Sequence, residues 1–376
     1  MNGYRLAKPL LFRLSPETAH WAIHELLETV QQTPLLSLLS RQYNVEDERL
    51  AVSAFGQEFP NPVGLAAGFD KNAEIPRAMA ALGFGFVEVG GVTAQPQTGN
   101  PRPRMFRLAE DEGLINRMGL NNHGAATVGN RLAEESVNVP LGVNIAKSEH
   151  VDPADAPADY CETYDAVGAA DFFVVNISCP NSQGFAELQN RESMAEIVGA
   201  LDDRGASPLL VKLSPDLPEP AVDDALAIVE EFDLDGVVAT NTATERPASL
   251  DSHNRSETGG LSGKPIESRA TEMVRYVARR TDVPVVGVGG VSTAADAYRK
   301  IRAGASVVQL YTGLVYRGPA VAREINQGLL SLLDRDGFES VEDAVGADLS
   351  FAGGVPRVSP SPSRFRTHPQ CVLGAL

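Results

Sequence analysis

The sequence predicts a TIM (β/α)8 barrel preceded by a small N-terminal helical extension. Eight short apolar runs alternate with helical stretches between Pro62 and about Ile325, and eight β-then-α units in about 260 residues match such a barrel. Most runs are followed by Gly, Pro, Asn or Ser and then by a helical pattern. A doubly wound sheet is the competing architecture, but it usually has fewer strands.

Residues 1–45 form the predicted extension. Ser15 and Pro16 suit the N-cap and first position of a helix, and apolar residues follow at helical spacing from Ala19 to Val30. Thr33-Pro34 begins a second short helix that is rich in leucine. Two such helices can pack on the body of the protein or rest at a bilayer surface and admit an apolar substrate. The pattern alone leaves both possibilities open.

The barrel is expected over residues 46–334, with polar residues at the C-terminal ends of its strands, where TIM barrels carry their active sites. The predicted strands are Val63–Gly68, Gly85–Thr93, Leu141–Ala146, Phe172–Asn176, Leu209–Leu213, Gly236–Asn241, Val283–Gly289 and Ser306–Tyr311. Their ends carry Lys71, Thr93, Asn144, Lys147, Asn176, Lys212, Asn241 and Tyr311. Three of the six lysines of the chain belong to this set, which indicates that each has a specific task. Residues 335–376 are predicted to be a largely disordered tail, since Val355–Gln370 is rich in Pro and Ser.

Charge and composition exclude several classes of function. The 376 residues carry a net charge of −17, and their basic residues are 26 Arg and only 6 Lys. A surface of this sign repels phosphate backbones, so general nucleic-acid binding is excluded. Acid excess with few lysines also favours a salt-adapted protein over an ordinary acidic enzyme. The three cysteines are scattered along the chain, which argues against a structural metal site. No apolar run is long enough to span a membrane, and no secretory signal is visible. Together these features favour a reducing cytoplasm.

Two glycine turns predict a phosphate site. Gly287-Val-Gly-Gly290 follows the seventh predicted strand, and Gln309-Leu-Tyr-Thr-Gly313 lies at the end of the eighth. Backbone N–H groups in such turns bind anions, and TIM barrels commonly hold phosphate after these two strands. The spacing differs from the Rossmann G-x-G-x-x-G pattern. We therefore expect a bound phosphate group at this part of the barrel mouth.

Amide side chains and one thiol are concentrated in the other predicted strand-end loops. The segment from Asn176 to Asn181 places Cys179 between two amides, and Thr240-Asn241-Thr242 follows the sixth strand. Asn116 and Asn121 lie in an insertion after the second strand. Amides donate and accept hydrogen bonds, so converging loops of this kind suit a planar, amide-rich ligand. Cys179 suits a base or nucleophile, although a buried structural cysteine is the alternative.

Seven segments in order resemble the dihydroorotate dehydrogenase family. They are Gly64–Lys71, residues 113–122, Asn176–Asn181, Ala239–Thr242, Gly259–Gly263, Gly287–Gly290 and Gln309–Gly313. Together with the N-terminal helices, they resemble class 2, the quinone-dependent and membrane-associated enzymes. The resemblance implies oxidation of dihydroorotate to orotate in the biosynthesis of pyrimidines and UMP. It also implies FMN as cofactor, a membrane quinone as acceptor, peripheral attachment at the cytoplasmic face of the cell membrane, and a monomer or homodimer.

The resemblance also assigns residues to each part of the reaction. Positions matching FMN contacts are Ala66, Ala67, Gly68, Lys71, Gly91, Asn144, Asn176, Lys212, Thr240, Gly263, Gly289, Gly290, Tyr311, Thr312 and Gly313. Positions matching substrate contacts are Lys71, Asn116, Asn176, Asn181, Asn241 and Thr242. Cys179 matches the base that removes the C5 proton while the C6 hydride passes to the flavin. His20 and Arg107 match positions near the quinone entrance.

Two residues depart from the class 2 pattern. Cys179 replaces the usual Ser at the base position and is the choice of class 1. Gly91 stands where relatives often have a hydroxyl contact to the flavin, which we expect to be lost or supplied by Thr93 or water. The nearest alternative is therefore a soluble class 1 enzyme that uses fumarate or another acceptor. The negative charge argues against a second alternative, a dihydrouridine synthase. Cys179 and Lys71 argue against a third, a barrel that binds phosphate but has no catalytic activity.

Overall fold

A computed structural model describes residues 4–178, 188 and 190–349 of the chain. Eight parallel strands close into a barrel in the cyclic order β3, β4, β7, β8, β9, β10, β12, β13. Their bounds are Val63–Leu65, Phe86–Val92, Leu141–Ile145, Phe172–Asn176, Leu209–Leu213, Gly236–Ala239, Val285–Val288 and Val307–Leu310. Every predicted apolar run contains one barrel strand, and the predicted fold is confirmed. The runs are mostly apolar because parallel strands are covered on both faces.

Helices surround the barrel and cover its outer face. Those that follow barrel strands are α4 (Pro76–Ala81), α5 (Ala125–Glu134), α6 (Ala156–Ala166), α7 (Arg191–Asp202), α8 (Glu219–Glu231), α9 (Glu267–Ala278), α10 (Ala294–Arg302), α11 (Thr312–Arg317) and α12 (Val321–Asp336). Their inward faces are buried, as at Ile197, Val229 and Ile325. This layer fixes the strands and so fixes the loops at their C-terminal ends.

Aromatic side chains fill the barrel beneath a short antiparallel hairpin. The hairpin consists of β1 (Val52–Ala54) and β2 (Gln57–Phe59). The ring of Phe59 lies 5.0 Å from that of Phe86, and both rings belong to the buried core. A Cβ atom on Gly64 would lie 2.3 Å from the Phe86 ring, so glycine is required there. Side chains thus fill the N-terminal end of the barrel, and the C-terminal end is available for a functional site.

A three-stranded antiparallel sheet lies beside the barrel mouth. It contains β5 (Met105–Leu108), β6 (Gly113–Asn116) and β11 (Gly260–Gly263), in the order β11, β6, β5. From the sequence, this region was predicted only to be an insertion after the second strand. The sheet pairs Gly260 with Asn116 and Gly263 with Gly113, and it thereby brings segments from two distant loops together.

Three helices form the N-terminal extension. They are α1 (Tyr4–Leu11), α2 (Pro16–Gln31) and α3 (Leu35–Tyr43). The predicted helices α2 and α3 are confirmed, and the Ser15 hydroxyl accepts a hydrogen bond from the Thr18 amide as an N-cap. Helix α1 was not predicted, because it is short and contains Pro9. Among the described residues no helix is long and apolar enough to cross a membrane.

The packed part of the chain continues beyond residue 334, so the predicted start of the tail is too early. Helix α12 runs to Asp336, and α13 (Val341–Ala344) follows with Val341 and Ala344 buried. Asp336 and Asp348 both pair with Arg302, which tethers this segment to the barrel helices. Residues 350–376, including Val355–Gln370, lie outside the described residues.

Candidate active site

A cavity of about 1200 Å³, its open mouth included, lies at the C-terminal ends of the barrel strands. It borders the three-stranded sheet through Asn116 and Gly263. Every position that the resemblance assigns to FMN lines it: Ala66, Ala67, Gly68, Lys71, Gly91, Asn144, Asn176, Lys212, Thr240, Gly263, Gly289, Gly290, Tyr311, Thr312 and Gly313. The fold therefore gathers residues that are up to 247 positions apart in the sequence into one concave surface.

The predicted substrate residues largely share this cavity. Lys71, Asn116, Asn176, Asn241 and Thr242 line it. Asn181 and the predicted base Cys179 lie outside the described residues. Asn121 lines an adjoining cavity instead, and its buried side-chain oxygen has no hydrogen-bond partner among the described residues.

Amide side chains form a hydrogen-bonded row across the cavity. The Asn176 amide group donates to the Asn144 side-chain oxygen at 3.0 Å. The Asn241 amide group donates to the Asn176 oxygen at 3.2 Å and to the Ser178 hydroxyl at 3.0 Å. Strands β7, β8 and β10 supply these amides, with β9 between β8 and β10 in the barrel and Asn241 just past the end of β10. These hydrogen bonds determine which amide atoms are already paired within the protein and which are available to a ligand in the cavity.

A buried carboxylate closes the floor of the site. Glu88 on β4 is fully buried, and one of its oxygens accepts from the Asn144 amide at 2.8 Å and lies 3.4 Å from the Lys212 ammonium. Its other oxygen accepts from the Gln309 amide at 2.6 Å. No site role was predicted for Glu88 or for the side chain of Gln309, although Gln309 belongs to the second predicted glycine turn. For Glu88 the sequence contains a signal, since it is a charged residue in the middle of the apolar run Phe86–Val89. A charge in a buried strand needs a buried partner, and this indicates a functional role.

Lys71 places a cation at the edge of the cavity. Its ammonium donates to the Gly68 carbonyl at 2.7 Å. Burial, with a smaller contribution from the nearby charge of Arg104, lowers the pKa of Lys71 to about 8. Lys71 is therefore mostly charged at neutral pH, and an anionic partner would stabilise the charged form further.

The glycine turns can accept a phosphate without steric conflict. Gly289 and Gly290 have φ values of +109° and +79°, and a Cβ atom on Gly290 would lie 2.3 Å from the Glu267 Cβ. Glycine is therefore required, and the N–H of Gly290 donates no hydrogen bond to another described residue. Thr312 and Gly313 begin α11, so their N–H groups have no acceptor within the helix. These free donors match the predicted phosphate site.

Two strand-end residues with expected contacts do not reach the cavity. The Thr93 hydroxyl donates to the Gln95 carbonyl at 2.7 Å and accepts from Asn122, and Thr93 is fully buried. It therefore cannot replace the contact missing at Gly91. The buried Lys147 ammonium donates to the carbonyls of Ser148 and Val151 and does not line the cavity, because these nearby carbonyls hold it within its own loop. The expectation of a site role for Thr93 and Lys147 is wrong.

His20 lies between the cavity and the N-terminal extension. Its ring packs 4.9 Å from the Phe69 ring and 6.4 Å from the Tyr311 ring, measured between centroids. Burial, and next the positive charge of Lys71, lower the pKa of His20 to about 3. The imidazole is therefore neutral at ordinary pH. His20 lines the adjoining cavity, which shares Lys71, Met105 and Met118 with the first.

Arg107 contacts the extension rather than either cavity. Its guanidinium donates to the Leu14 carbonyl at 2.7 Å and to the Phe12 carbonyl at 3.3 Å, and it covers the Phe12 ring at 4.7 Å. Arg107 thus holds the connection between α1 and α2 against the three-stranded sheet. Of the two residues expected at a quinone entrance, only His20 borders a cavity.

Comparison with known proteins identifies the family. The family model described as dihydroorotate dehydrogenase matches residues 49–333. The chain belongs to the dihydroorotate dehydrogenase family. The expected family is thereby confirmed, and it accounts for the fold and for the residues gathered at the cavity.

Individual relatives narrow the class of this dehydrogenase. A Haloarcula marismortui protein named dihydroorotate dehydrogenase (quinone) is 69% identical over 93% of this chain and 100% of its own length. A Gloeobacter violaceus protein of the same name is 45% identical over 93% of this chain and 100% of its own length. The crystal structure of DHODH from Eimeria tenella in complex with ferulenol has a TM-score of 0.82 and 39% identity, and the match covers 89% of this chain and 95% of that one. The expected class 2 membership is confirmed.

Proposed function

We propose that the protein oxidises dihydroorotate to orotate with FMN as cofactor and passes the electrons to a membrane quinone. The observation that carries this proposal is the cavity, where all the described substrate and flavin positions of a dihydroorotate dehydrogenase meet. The class 1 alternative, with fumarate as acceptor, is favoured only by Cys179. It is not favoured overall, because relatives that match 93% of this chain carry the quinone-dependent name.

The cavity fits FMN by the chemistry of its donors. The N–H groups of Gly290, Thr312 and Gly313 supply an anion site for the phosphate, while Lys212 and Asn144 supply a cation and an amide for the ring. FMN supplies, when bound, a ring that accepts two electrons from the substrate and releases them to the acceptor. Lys212 and Asn144 would orient this ring and tune its electronic properties.

The substrate is recognised by charge and by amide pairing. Lys71 binds the carboxylate of dihydroorotate, and Asn116, Asn176 and Asn241 pair with the amide groups of the pyrimidine ring. Cys179, as the thiolate, takes up the C5 proton, since a thiol with a pKa of about 8.5 is deprotonated to a much greater extent near neutral pH than a serine hydroxyl. The neutral side chain of His20 itself presents no charge to an apolar acceptor.

The extension attaches the enzyme to the membrane surface from the cytoplasmic side. Its three helices and their connections expose large apolar side chains at Leu6, Leu10, Leu14, Trp21, Leu26, Leu35 and Leu38. Residues 1–45 have a net charge of +1 in a chain of −17, so this part does not repel anionic lipid. Relatives from Haloarcula, Natronomonas and Halobacterium support adaptation to high salt. A monomer or homodimer remains our prediction for the assembly.

The proposal is tested on the purified full-length protein. The protein is expected to be yellow, to release one FMN per chain on denaturation, and to lose its visible absorbance when dihydroorotate is added without oxygen. Succinate, a carboxylate without the pyrimidine ring, serves as the control and is expected to leave the absorbance unchanged. A colourless protein, or a yellow one that dihydroorotate does not bleach, would contradict the proposed function.

A further inference from the structure

Glu88 contacts three residues of the FMN cavity but does not line the cavity itself. It lies on β4 with no exposed surface. The partners of its carboxylate are Asn144 on β7, Lys212 on β9 and Gln309 on β13, and all three line the cavity. One carboxylate thus joins three strands beneath the floor of the site.

The hydrogen bonds around Glu88 match an ionised carboxylate. Two amide groups and one ammonium face its two oxygens, and each contact is made by a donor. The Lys212 side chain is 6% exposed and that of Glu88 is fully buried, so water screens their charges weakly. Glu88 therefore neutralises part of the positive charge that Lys212 presents to the cavity.

We propose that Glu88 is a positioning residue that lowers the reduction potential of bound FMN by acting through Lys212. This inference rests on the proposed function and extends it. Reduction adds negative charge at the flavin ring, and a nearby cation stabilises that charge. A lysine without its buried counter-charge would favour the reduced cofactor more strongly. Glu88 thus keeps the cofactor able to pass its electrons on to the acceptor.

The isosteric substitution Glu88→Gln removes this charge while preserving the packing. The buried Oε1 atom of Gln309 has no hydrogen-bond partner among the described residues. If the Gln309 amide turns over, that oxygen can accept from the new amide at position 88. The other oxygen of residue 88 still accepts from Asn144 and Lys212. We therefore expect the variant to fold and to bind FMN.

The test compares the midpoint potentials of FMN-loaded wild-type and variant proteins by equilibration with a reference dye. For Glu88→Gln, the ratio of reduced to oxidised cofactor at a given potential is expected to rise at least tenfold, about 30 mV for a two-electron couple. Glu88→Asp, which keeps the charge but withdraws it from Lys212, is expected to shift the potential in the same direction by less. Asp159→Asn removes a buried carboxylate that bonds to Ser148 outside the cavity, and is expected to cause no shift.

The outcomes separate this inference from the proposed function. An unchanged or lowered potential in Glu88→Gln, or an equal shift in Asp159→Asn, would overturn the role of Glu88. In the Lys212→Met background the Glu88→Gln shift is expected to shrink at least threefold, and an undiminished shift would overturn action through Lys212. A wild-type protein that binds no FMN would instead contradict the proposed function. If Glu88→Gln does not fold, the Glu88→Asp potential decides, and a wild-type value there overturns the inference.

Discussion

Burial determines the protonation states of single residues around the cavity. It lowers the pKa of Lys71 to about 8 and that of His20 to about 3, and it raises the pKa of Tyr311 above its usual range. Near neutral pH, His20 and Tyr311 are therefore uncharged while Lys71 is mostly protonated. The binding of an anionic substrate should therefore depend on pH mainly through Lys71.

The affinity for orotate is expected to fall as the pH rises through the pKa of Lys71. With a pKa of about 8, the protonated fraction of Lys71 drops about tenfold between pH 7 and pH 9, and the anion loses its partner. The dissociation constant, measured from the perturbed flavin spectrum, should rise by about this factor. Lys71→Arg keeps its charge throughout and should show a flat profile. A flat wild-type profile, or the same slope in Lys71→Arg, would argue against this role.

The substitution Cys179→Ser is expected to slow reduction of the cofactor by dihydroorotate at least about tenfold at pH 7–8. Its pH dependence should also move upward, because a hydroxyl loses its proton only at much higher pH. Stopped-flow absorbance measures both effects. Cys161→Ser is the matched control, since the Cys161 thiol is buried on α6 against the Ala200 carbonyl. Traces that are identical for wild type and Cys179→Ser would rule out Cys179 as the base.

Site residues could be predicted from the sequence where a polar side chain interrupts or ends the apolar run of a strand. Asn144, Asn176 and Lys212 each stand in or at the end of such a run, and all three line the cavity. Glu88 was not predicted because its function depends on Lys212 and Gln309, which are 124 and 221 positions away. Lys147 was wrongly expected at the site, because a lysine at a strand end can also donate its hydrogen bonds to carbonyls of its own loop.

At the scale of elements, helix α2 is attached to the barrel at both ends. At its start, Glu17 accepts from Arg104 at 2.8 Å and from Arg102 at 3.0 Å. At its end, the Gln31 amide donates to the Glu74 carbonyl at 2.6 Å. Arg104 is almost fully buried and also donates to the Thr98 and Asn100 carbonyls. These contacts place His20, one turn into α2, beside Tyr311 at the cavity.

Glu17→Gln is expected to loosen α2 and to impair the reaction with quinone selectively. Loss of the charged hydrogen bonds to Arg104 should lower the free energy of unfolding by about 2 kcal/mol. Reoxidation by a quinone should slow several-fold at pH 7, while reduction by dihydroorotate should keep at least about half of its rate. Glu231→Gln breaks the half-exposed pair with Arg191 and should cost less than about 1 kcal/mol. Equal slowing of both half-reactions would contradict this account of α2.

Helices and strands could be predicted from the sequence where their apolar pattern lies within one short segment of the chain. All eight barrel strands are mostly apolar, and α2 has a clear cap and an amphipathic stripe. The three-stranded sheet was missed because β6 pairs with β11, about 145 residues further along the chain. The segment from Asp336 to Leu349 was assigned to the tail because its anchors, such as the pairs with Arg302, leave no periodic signal.

At the scale of the whole molecule, the negative charge is distributed around a surface where most ion pairs use arginine. Pairs such as Arg191–Glu231 and Arg280–Asp223 are about half exposed and stabilise the fold weakly. The remaining carboxylates repel one another in dilute solution, because the net charge is −17. Salt screens this repulsion over a few ångströms at molar concentration.

The free energy of unfolding is therefore expected to rise when KCl is increased from about 0.1 M to about 2 M, where the screening length falls to a few ångströms. Urea denaturation at constant pH measures this change, and the bound FMN should be retained to higher urea concentrations in salt. NaCl as a second salt separates screening from a specific effect of potassium. Equal stability at low and high KCl would contradict salt adaptation.

The most direct test of the account is the choice of electron acceptor by the whole enzyme. Full-length protein in high KCl is given dihydroorotate without oxygen, together with either a soluble quinone analogue or fumarate, and orotate is measured. With quinone, we expect one orotate per quinone reduced over repeated turnovers; with fumarate, we expect no more than one orotate per enzyme. Sustained turnover with fumarate and none with quinone would contradict the account.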